Sequence, residues 1–189
     1  MIVLLNGYPG IGKLTIGRHL AARSNAVLLD LHTLYNPAYA LAAPKSQAYF
    51  NIIREIWAVV DPRVLALPPG QRVILTDVMA GRPPHEPWIE ENLARLHRLG
   101  AARGGLAVVN LSCARAENRR RITAPERAGA GKPRDPAYAD AKHTAAKPLL
   151  SCGADHLLEL DVTELSAEAA ALRIAAWLDA PERAVRGSS

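Results

Sequence analysis

Three glycines and a lysine lie close to the start of the chain, in segment 7–15, whose sequence is GYPGIGKLT. The segment follows an apolar run at 2–5 and precedes an amphipathic stretch that ends near Arg23. Glycines let the backbone turn tightly and bring its N–H groups close to an anion, and a helix N-terminus adds the positive end of its dipole. Lys13 supplies a mobile positive charge for outer phosphates. This order of strand, glycine loop and helix predicts a phosphate-binding loop (P-loop).

One position of the loop departs from the pattern G-x-x-x-x-G-K-[ST]. Leu14 stands where that pattern has the hydroxyl that binds magnesium, and a hydroxyl follows one residue later at Thr15. Thr15 is about 100° further round the helix, so we expect it near an inner phosphate. The residues that we expect to bind the nucleotide through this loop are Gly7, Pro9, Gly10, Ile11, Gly12, Lys13, Leu14 and Thr15.

Two aspartates end apolar runs that have the character of strands. Asp30 ends the run at 26–30, and Asp77 ends the run at 72–77. Ligands of α/β proteins bind at the carboxyl ends of the strands. We therefore predict that Asp30 orients an acceptor hydroxyl and takes its proton, and that Asp77 holds magnesium through water. The alternative for both is a residue that caps the following helix or turn.

Three further residues are candidates for binding the acceptor. His32 lies two residues after Asp30, Tyr35 follows it, and Arg82 comes after the third apolar run. Their ordinary alternatives are a local hydrogen-bonding histidine, a core aromatic and a solvated surface arginine.

The basic charge is concentrated in segment 115–136, which carries seven Arg and Lys residues against three acidic ones. Helical spacing fans neighbouring arginines apart, so they cannot all face one ligand. We predict a lid at about 115–136, with Arg120 and Arg127 as catalytic residues and with Arg120 and Arg134 as further nucleotide ligands. A local cluster fits a polyphosphate better than the broad basic face of a general nucleic-acid binder.

Composition favours a single globular unit. The chain has 189 residues, of which 49% are hydrophobic and 22% charged, with a net charge of +5. We expect one domain at 1–180 and a disordered tail at 181–189. Two distant cysteines without C-x-x-C spacing, and an N-terminus without signal-peptide character, predict a reduced, cytoplasmic setting. No apolar run is long enough for a membrane span.

Strands and helices alternate along the chain, which predicts an α/β fold with a mainly parallel sheet. Prolines and a glycine at 62–70 predict a loop, and Ser166 is expected to cap the last helix. The five predicted strands are residues 2–6, 26–30, 72–77, 106–111 and 156–160.

These features together resemble the nucleoside monophosphate kinase-like branch of P-loop proteins, which includes shikimate kinases and chloramphenicol phosphotransferases. The resemblance is carried by GYPGIGKLT, Asp30, TDVMAGRP, ENRRRI with its basic loop, and LELDVTELS. It implies a three-layer P-loop NTPase fold with a five-stranded parallel sheet of order 2-3-1-4-5 and an arginine-rich lid that closes over ATP. It also implies ATP and Mg²⁺ as cofactors, and it leaves the acceptor open.

The leading hypothesis from the sequence is an ATP-dependent phosphotransferase that moves the γ-phosphate to a hydroxyl of a small molecule. The nearest alternative is a nucleoside or nucleotide kinase. Two others are a nucleic-acid 5′-hydroxyl kinase and a non-catalytic nucleotide-sensing module, for which Leu14 is the motivation. The expected partners are ATP and a small substrate, without a membrane, and the chain is expected to be a monomer or a homodimer.

Overall fold

The computed structural model describes residues 1–125, 135–144 and 147–180. One sheet of five parallel strands has the order β2-β3-β1-β4-β5. This confirms the predicted α/β fold and the strand order. The strands are β1 (Ile2–Asn6), β2 (Val27–Asp30), β3 (Val73–Asp77), β4 (Leu106–Ser112) and β5 (His156–Asp161).

Helices cover both faces of this sheet. Successive strand residues point to opposite faces, so Leu4 joins a core with α4 and α5, while Leu5 joins a second core with α1 and α8. The helices are α1 (Lys13–Ser24), α2 (Leu31–Leu34), α3 (Asn36–Leu41), α4 (Gln47–Leu65), α5 (Pro87–Arg103), α6 (Arg115–Ile122), α7 (Pro136–Thr144) and α8 (Ala167–Asp179). Within the described ranges, none of them is long and apolar enough to cross a membrane.

The largest difference from the sequence-based prediction is at the end of α4, which continues through Pro62 to Leu65. Proline removes one backbone donor and usually ends a helix. Here Asp61 and Val64 are buried on either side of it, and their packing outweighs the lost hydrogen bond. The predicted cap of the last helix is confirmed, because the Ser166 hydroxyl accepts from the Ala169 N–H at 3.1 Å.

A buried ion pair joins α4 to α5. The Arg95 guanidinium donates to both carboxylate oxygens of Asp61 at 2.6–3.0 Å, and the two side chains are 2% and 8% exposed. Arg95 also lies over the Trp57 ring, 4.7 Å from its centre. A charge buried this deeply is tolerated only when its partner is in place, so this pair fixes the packing of α4 against α5.

Two predictions fall wholly or partly on residues outside the described ranges. The tail at 181–189 is one of them, and the middle of the predicted lid, with Arg127 and Arg134, is the other. The described parts of the predicted lid are α6, the residues that follow it up to 125, and residues 135 and 136, the second of which begins α7.

Candidate active site

The P-loop connects β1 to α1 at the carboxyl edge of the sheet. Gly10 and Gly12 have φ angles of 91° and 106°, which side chains rarely tolerate. Gly12 is the N-cap of α1 and has no side chain to bond the free N–H groups of the first turn. Such N–H groups and the helix dipole can together bind an anion.

Lys13 begins α1, and its ammonium group folds back over the loop. It donates to the backbone carbonyls of Gly7 and of Tyr8, the latter at 3.1 Å. A phosphate at this position would offer the ammonium a charged acceptor in exchange for neutral carbonyls, and charge-assisted hydrogen bonds are the stronger kind.

Helix α6 packs against the loop and holds its shape. The Asn118 amide donates to the Pro9 carbonyl at 3.1 Å, and a side chain at Gly10 would collide with that amide at 2.6 Å. The Arg121 guanidinium donates to the Ile11 carbonyl at 2.8 Å and to Val162, which follows β5, at 2.6 Å. The loop conformation is therefore fixed from outside by two buried or half-buried side chains.

A row of polar side chains crosses the carboxyl ends of the central strands. Asn6 ends β1 and exchanges hydrogen bonds with the backbone of Met79, which lies beyond β3, at 2.7 and 2.9 Å. Its amide also donates to Asn110 on β4 at 2.9 Å, and the Asn110 amide donates to Glu159 on β5 at 2.7 Å. Buried amides that are fully bonded in this way fix the register of the segments around them.

Asp77 ends β3 directly beside the P-loop, since the Gly7 N–H donates to its backbone carbonyl at 3.3 Å. Its carboxylate accepts from the Val78 N–H at 2.7 Å and from the Asn92 amide at 3.1 Å. Burial raises the pKa of Asp77 above its usual value, and these two hydrogen bonds and the charge of Lys13 act in the opposite direction. Asp77 is therefore a partly buried carboxylate at the end of the strand next to the P-loop.

Asp30 ends β2 and accepts two hydroxyl hydrogen bonds. Thr76, its neighbour on β3, donates at 2.6 Å, and Thr33 donates at 2.8 Å. Asp30 is the N-cap residue of α2, but its side chain makes no cap hydrogen bond to the helix backbone. By strand alternation Asp30 and Asp77 point to opposite faces of the same edge, so each carboxylate has its own surroundings and they do not form a shared pair.

The three other residues that were predicted to bind the acceptor differ in how deeply they are buried. His32 is half-buried, with its ring 5.4 Å from that of Tyr39. Tyr35 is 6% exposed, and its hydroxyl accepts from the Trp57 indole N–H at 2.9 Å, so it belongs to the core beneath the site. Arg82 is exposed in the segment after β3.

The arginines of α6 are largely paired with acids. Arg115 and Arg119 bond Asp140 of α7 at 2.7 and 2.5 Å. Arg120, which the sequence favoured as catalytic, is 73% exposed and bonds Glu117 of its own helix. Arg121 shares Glu117 but reaches the loop. The sequence did not single out Arg121, because the phase of α6 relative to the loop is set by tertiary packing.

The donors around the loop are compatible with magnesium. Asp30 and Asp77 supply carboxylate oxygens, which Mg²⁺ prefers, whereas Leu14 supplies no donor. Among the described residues, no three His, Cys, Asp or Glu side chains are grouped to hold a metal. One or two carboxylates with phosphate oxygens and water are the usual ligands of Mg²⁺ at phosphoryl-transfer sites, and this set fits that pattern.

Some residues of the site were missed by the sequence interpretation although a signal was present. Asn6 and Asn110 each follow an apolar run within their strand, as Asp77 does, and a polar residue at such a position indicates the ligand edge of the sheet. Asn118 and Asn92 carried no comparable signal, since their roles depend on which helix face meets the sheet.

No protein-family model matches the chain, and no curated protein matches its sequence. Solved structures do match its fold. A sugar kinase from a Janibacter species is 17% identical with a TM-score of 0.62, covering 94% of each chain. Shikimate kinase from Bacteroides thetaiotaomicron is 22% identical with a TM-score of 0.56, covering 94% of this chain and 98% of that one.

A third match is the tunicamycin resistance protein of Deinococcus radiodurans, which is 15% identical with a TM-score of 0.57 and covers 94% of this chain and 95% of that one. At these identities the similarity establishes the fold. The chain thus has the fold of P-loop small-molecule kinases.

Proposed function

We propose that this protein is an ATP-dependent phosphotransferase that moves the γ-phosphate of ATP to a hydroxyl of a small molecule. The observation that carries this proposal is the meeting of three groups at one edge of the sheet: the P-loop with Lys13, Asp77 beside it, and Asp30 on the neighbouring strand. The similar folds of a sugar kinase and a shikimate kinase support it.

Each group has a role that follows from its chemistry. The loop N–H groups and Lys13 bind and orient the outer phosphates. Asp77 and the phosphates would hold Mg²⁺, which supplies charge neutralisation on the transferring group when bound. Asp30 ends β2 at the ligand edge of the sheet, so its carboxylate can orient the acceptor hydroxyl and take its proton. An arginine of the predicted lid would complete the charge stabilisation.

The test is to incubate the protein with ATP, Mg²⁺ and a metabolite extract, and to identify by mass spectrometry the compound that gains a phosphate. Lys13→Ala should abolish the transfer while the melting temperature stays close to that of the wild type. Lys45→Ala is the matched control, because Lys45 is an exposed lysine outside the loop, and it should leave the transfer unchanged. Transfer that survives in Lys13→Ala would exclude this role for the loop.

The alternatives predict different results in the same experiment. A nucleoside or nucleotide kinase would phosphorylate a base-bearing compound by the same mechanism. A nucleic-acid 5′-hydroxyl kinase would show strong, salt-dependent oligonucleotide binding, which the pairing of the α6 arginines with Glu117 and Asp140 disfavours. A nucleotide-sensing module would bind ATP without transferring phosphate to any acceptor.

A further inference from the structure

Six aromatic side chains form one continuous cluster on the α2–α5 side of the site. The whole chain has only five Tyr, three Trp and one Phe. Neighbouring rings of the cluster are 4.6–6.5 Å apart, within the range of favourable aromatic pairs. In order along the cluster, the rings are Tyr35, Trp57, Trp88, Phe50, Tyr49 and Tyr39.

One end of this cluster is exposed. Tyr39 on α3 is 44% exposed, whereas Tyr49 behind it is 8% exposed. The Tyr39 ring lies 5.3 Å from Tyr49 and 5.4 Å from His32. One buried and one half-buried ring therefore lie against Tyr39, and a surface that is already fixed loses little entropy when a ligand stacks on it.

The exposed end of the cluster lies against the segment that follows Asp30, because the His32 ring, 5.4 Å from that of Tyr39, is two residues beyond Asp30. Burial raises the pKa of Tyr49, and a hydrogen bond with Tyr39 and the negative charge of Asp77 raise it further. Burial also raises the pKa of Tyr138 on α7, with an added contribution from Tyr39. The contact between the Tyr39 and His32 rings therefore places the exposed ring against the segment that directly follows Asp30.

Arginines around the cluster are neutralised by acids. Arg54 forms a two-point ion pair with Glu91, with both distances 2.7 Å. Arg95 and Arg98 are bonded to Asp61. These three guanidiniums of α4 and α5 are thus already bonded to carboxylates, which favours an acceptor without a negative charge on this side of the site.

We propose that the acceptor is an uncharged alcohol whose ring has a flat, apolar face, and that this face stacks on Tyr39 while the hydroxyl of the acceptor lies at the sheet edge where Asp30 ends β2. Aromatic rings, nucleobases and one face of a pyranose each present a flat, apolar surface, and such a surface can stack on an exposed tyrosine ring. The inference rests on the proposed function for the direction of the hydroxyl, but ring binding can be measured without phosphate transfer.

The experiment measures binding by calorimetry in the presence of ADP and Mg²⁺. Three neutral ring compounds represent the possible sources of the ring: adenosine, methyl β-D-glucopyranoside and 4-nitrobenzyl alcohol. Sorbitol provides a neutral open chain, and gluconate and shikimate provide carboxylates. We expect at least one neutral ring compound to bind more tightly than these three, and the one that binds best identifies the source.

Variants of Tyr39 then test the platform. Tyr39→Ala should weaken binding of the preferred ring compound about tenfold, which is at the upper end of what one aromatic pair contributes. Tyr39→Phe should stay within about twofold, because the ring is kept. Leu172→Ala is the matched control: Leu172 has the same 44% exposure but lies on α8, and its loss should change nothing.

Two sets of outcomes separate this inference from the proposed function. Tighter binding of gluconate, shikimate or sorbitol, failure of all three ring compounds to bind, or unchanged binding in Tyr39→Ala would overturn the ring platform even if phosphate transfer occurs. Ring binding that depends on Tyr39 with no transfer from ATP would support the platform and overturn the phosphotransferase assignment.

Discussion

Arg121 and Arg120 are adjacent on α6 and both bond Glu117. The structure nevertheless predicts that their substitution has different effects on the stability of the fold. The Arg121 side chain is 18% exposed and makes short hydrogen bonds to Glu117, to Ile11 of the P-loop and to Val162. Arg120 is 73% exposed and bonds Glu117. We predict that Arg121→Gln destabilises the fold and weakens ATP binding, whereas Arg120→Gln leaves the melting temperature unchanged.

The magnitude follows from the bonds that are lost. A hydrogen bond to a charged group contributes about 1.5–3 kcal/mol, and such contributions are not additive. Glutamine can retain one of the three bonds made by Arg121, so we expect a loss of about 2–4 kcal/mol. For a domain of this size, that corresponds to a decrease in melting temperature of about 4–16 °C. Release of the Ile11 carbonyl loosens the loop, and we expect ATP affinity to fall about tenfold, or about 1.4 kcal/mol.

Urea unfolding and calorimetric titration with ATP measure the two effects independently. Arg120→Gln is the control for helix propensity and for the loss of one positive charge on α6. The reasoning is refuted if Arg121→Gln unfolds at the wild-type urea concentration, or if the two variants lose stability equally. A fall in kcat for Arg120→Gln at unchanged stability would support its predicted catalytic role, since an exposed arginine can act after the lid closes.

Three further predictions concern the metal, the pH dependence and the core. Leu14→Ser restores a hydroxyl beside the loop lysine, and we expect the Mg²⁺ concentration for half-maximal transfer to fall several-fold; an unchanged requirement would show that the metal does not approach this position. The second of these predictions concerns Glu117, whose hydrogen bonds with Arg120 and Arg121 lower its pKa to about 2. The stability this pairing gives, about 1–2 kcal/mol after screening at the exposed arginine, is therefore present above about pH 4.3 and lost as pH falls toward 2. The difference in melting temperature between wild type and Glu117→Gln should close over that range, and a constant difference would contradict the pairing. Asp61→Ala leaves the Arg95 charge buried without its partner and should cost about 3–5 kcal/mol in urea unfolding; a cost below 1 kcal/mol would show that water reaches Arg95.

The fold was predictable from the sequence because its determinants are local. Apolar runs that end in Asn6, Asp30 and Asp77 define strands and their ligand edge, and the glycine spacing defines the loop. The assignment of individual arginines was not predictable in the same way. Asp140, which neutralises Arg115 and Arg119, lies more than twenty residues away on another helix, and a charge count over 115–136 cannot include it.

The proline at position 62 shows the same limit for the backbone. Local propensity predicts that a helix ends there, at a cost of about 3 kcal/mol for continuing. The Asp61–Arg95 pair and the burial of Val64 hold the last turn in place. The Asp61–Arg95 pair joins α4 to α5 across more than thirty residues, so a short stretch of sequence around Pro62 does not contain both partners.

The two halves of the site are held by different parts of the chain. The P-loop is fixed from the β4 side, through Asn118 and Arg121 of α6. The aromatic surface is fixed from the β2 and β3 side, through Tyr49 and the rings behind it in α4 and α5. Because the supports are separate, the acceptor surface can change without altering the loop that binds ATP. This separation gives a physical reason why one fold accommodates proteins named for sugars, for shikimate and for tunicamycin resistance, and under the proposals made above the determinants of acceptor choice in this chain would lie on α2–α4.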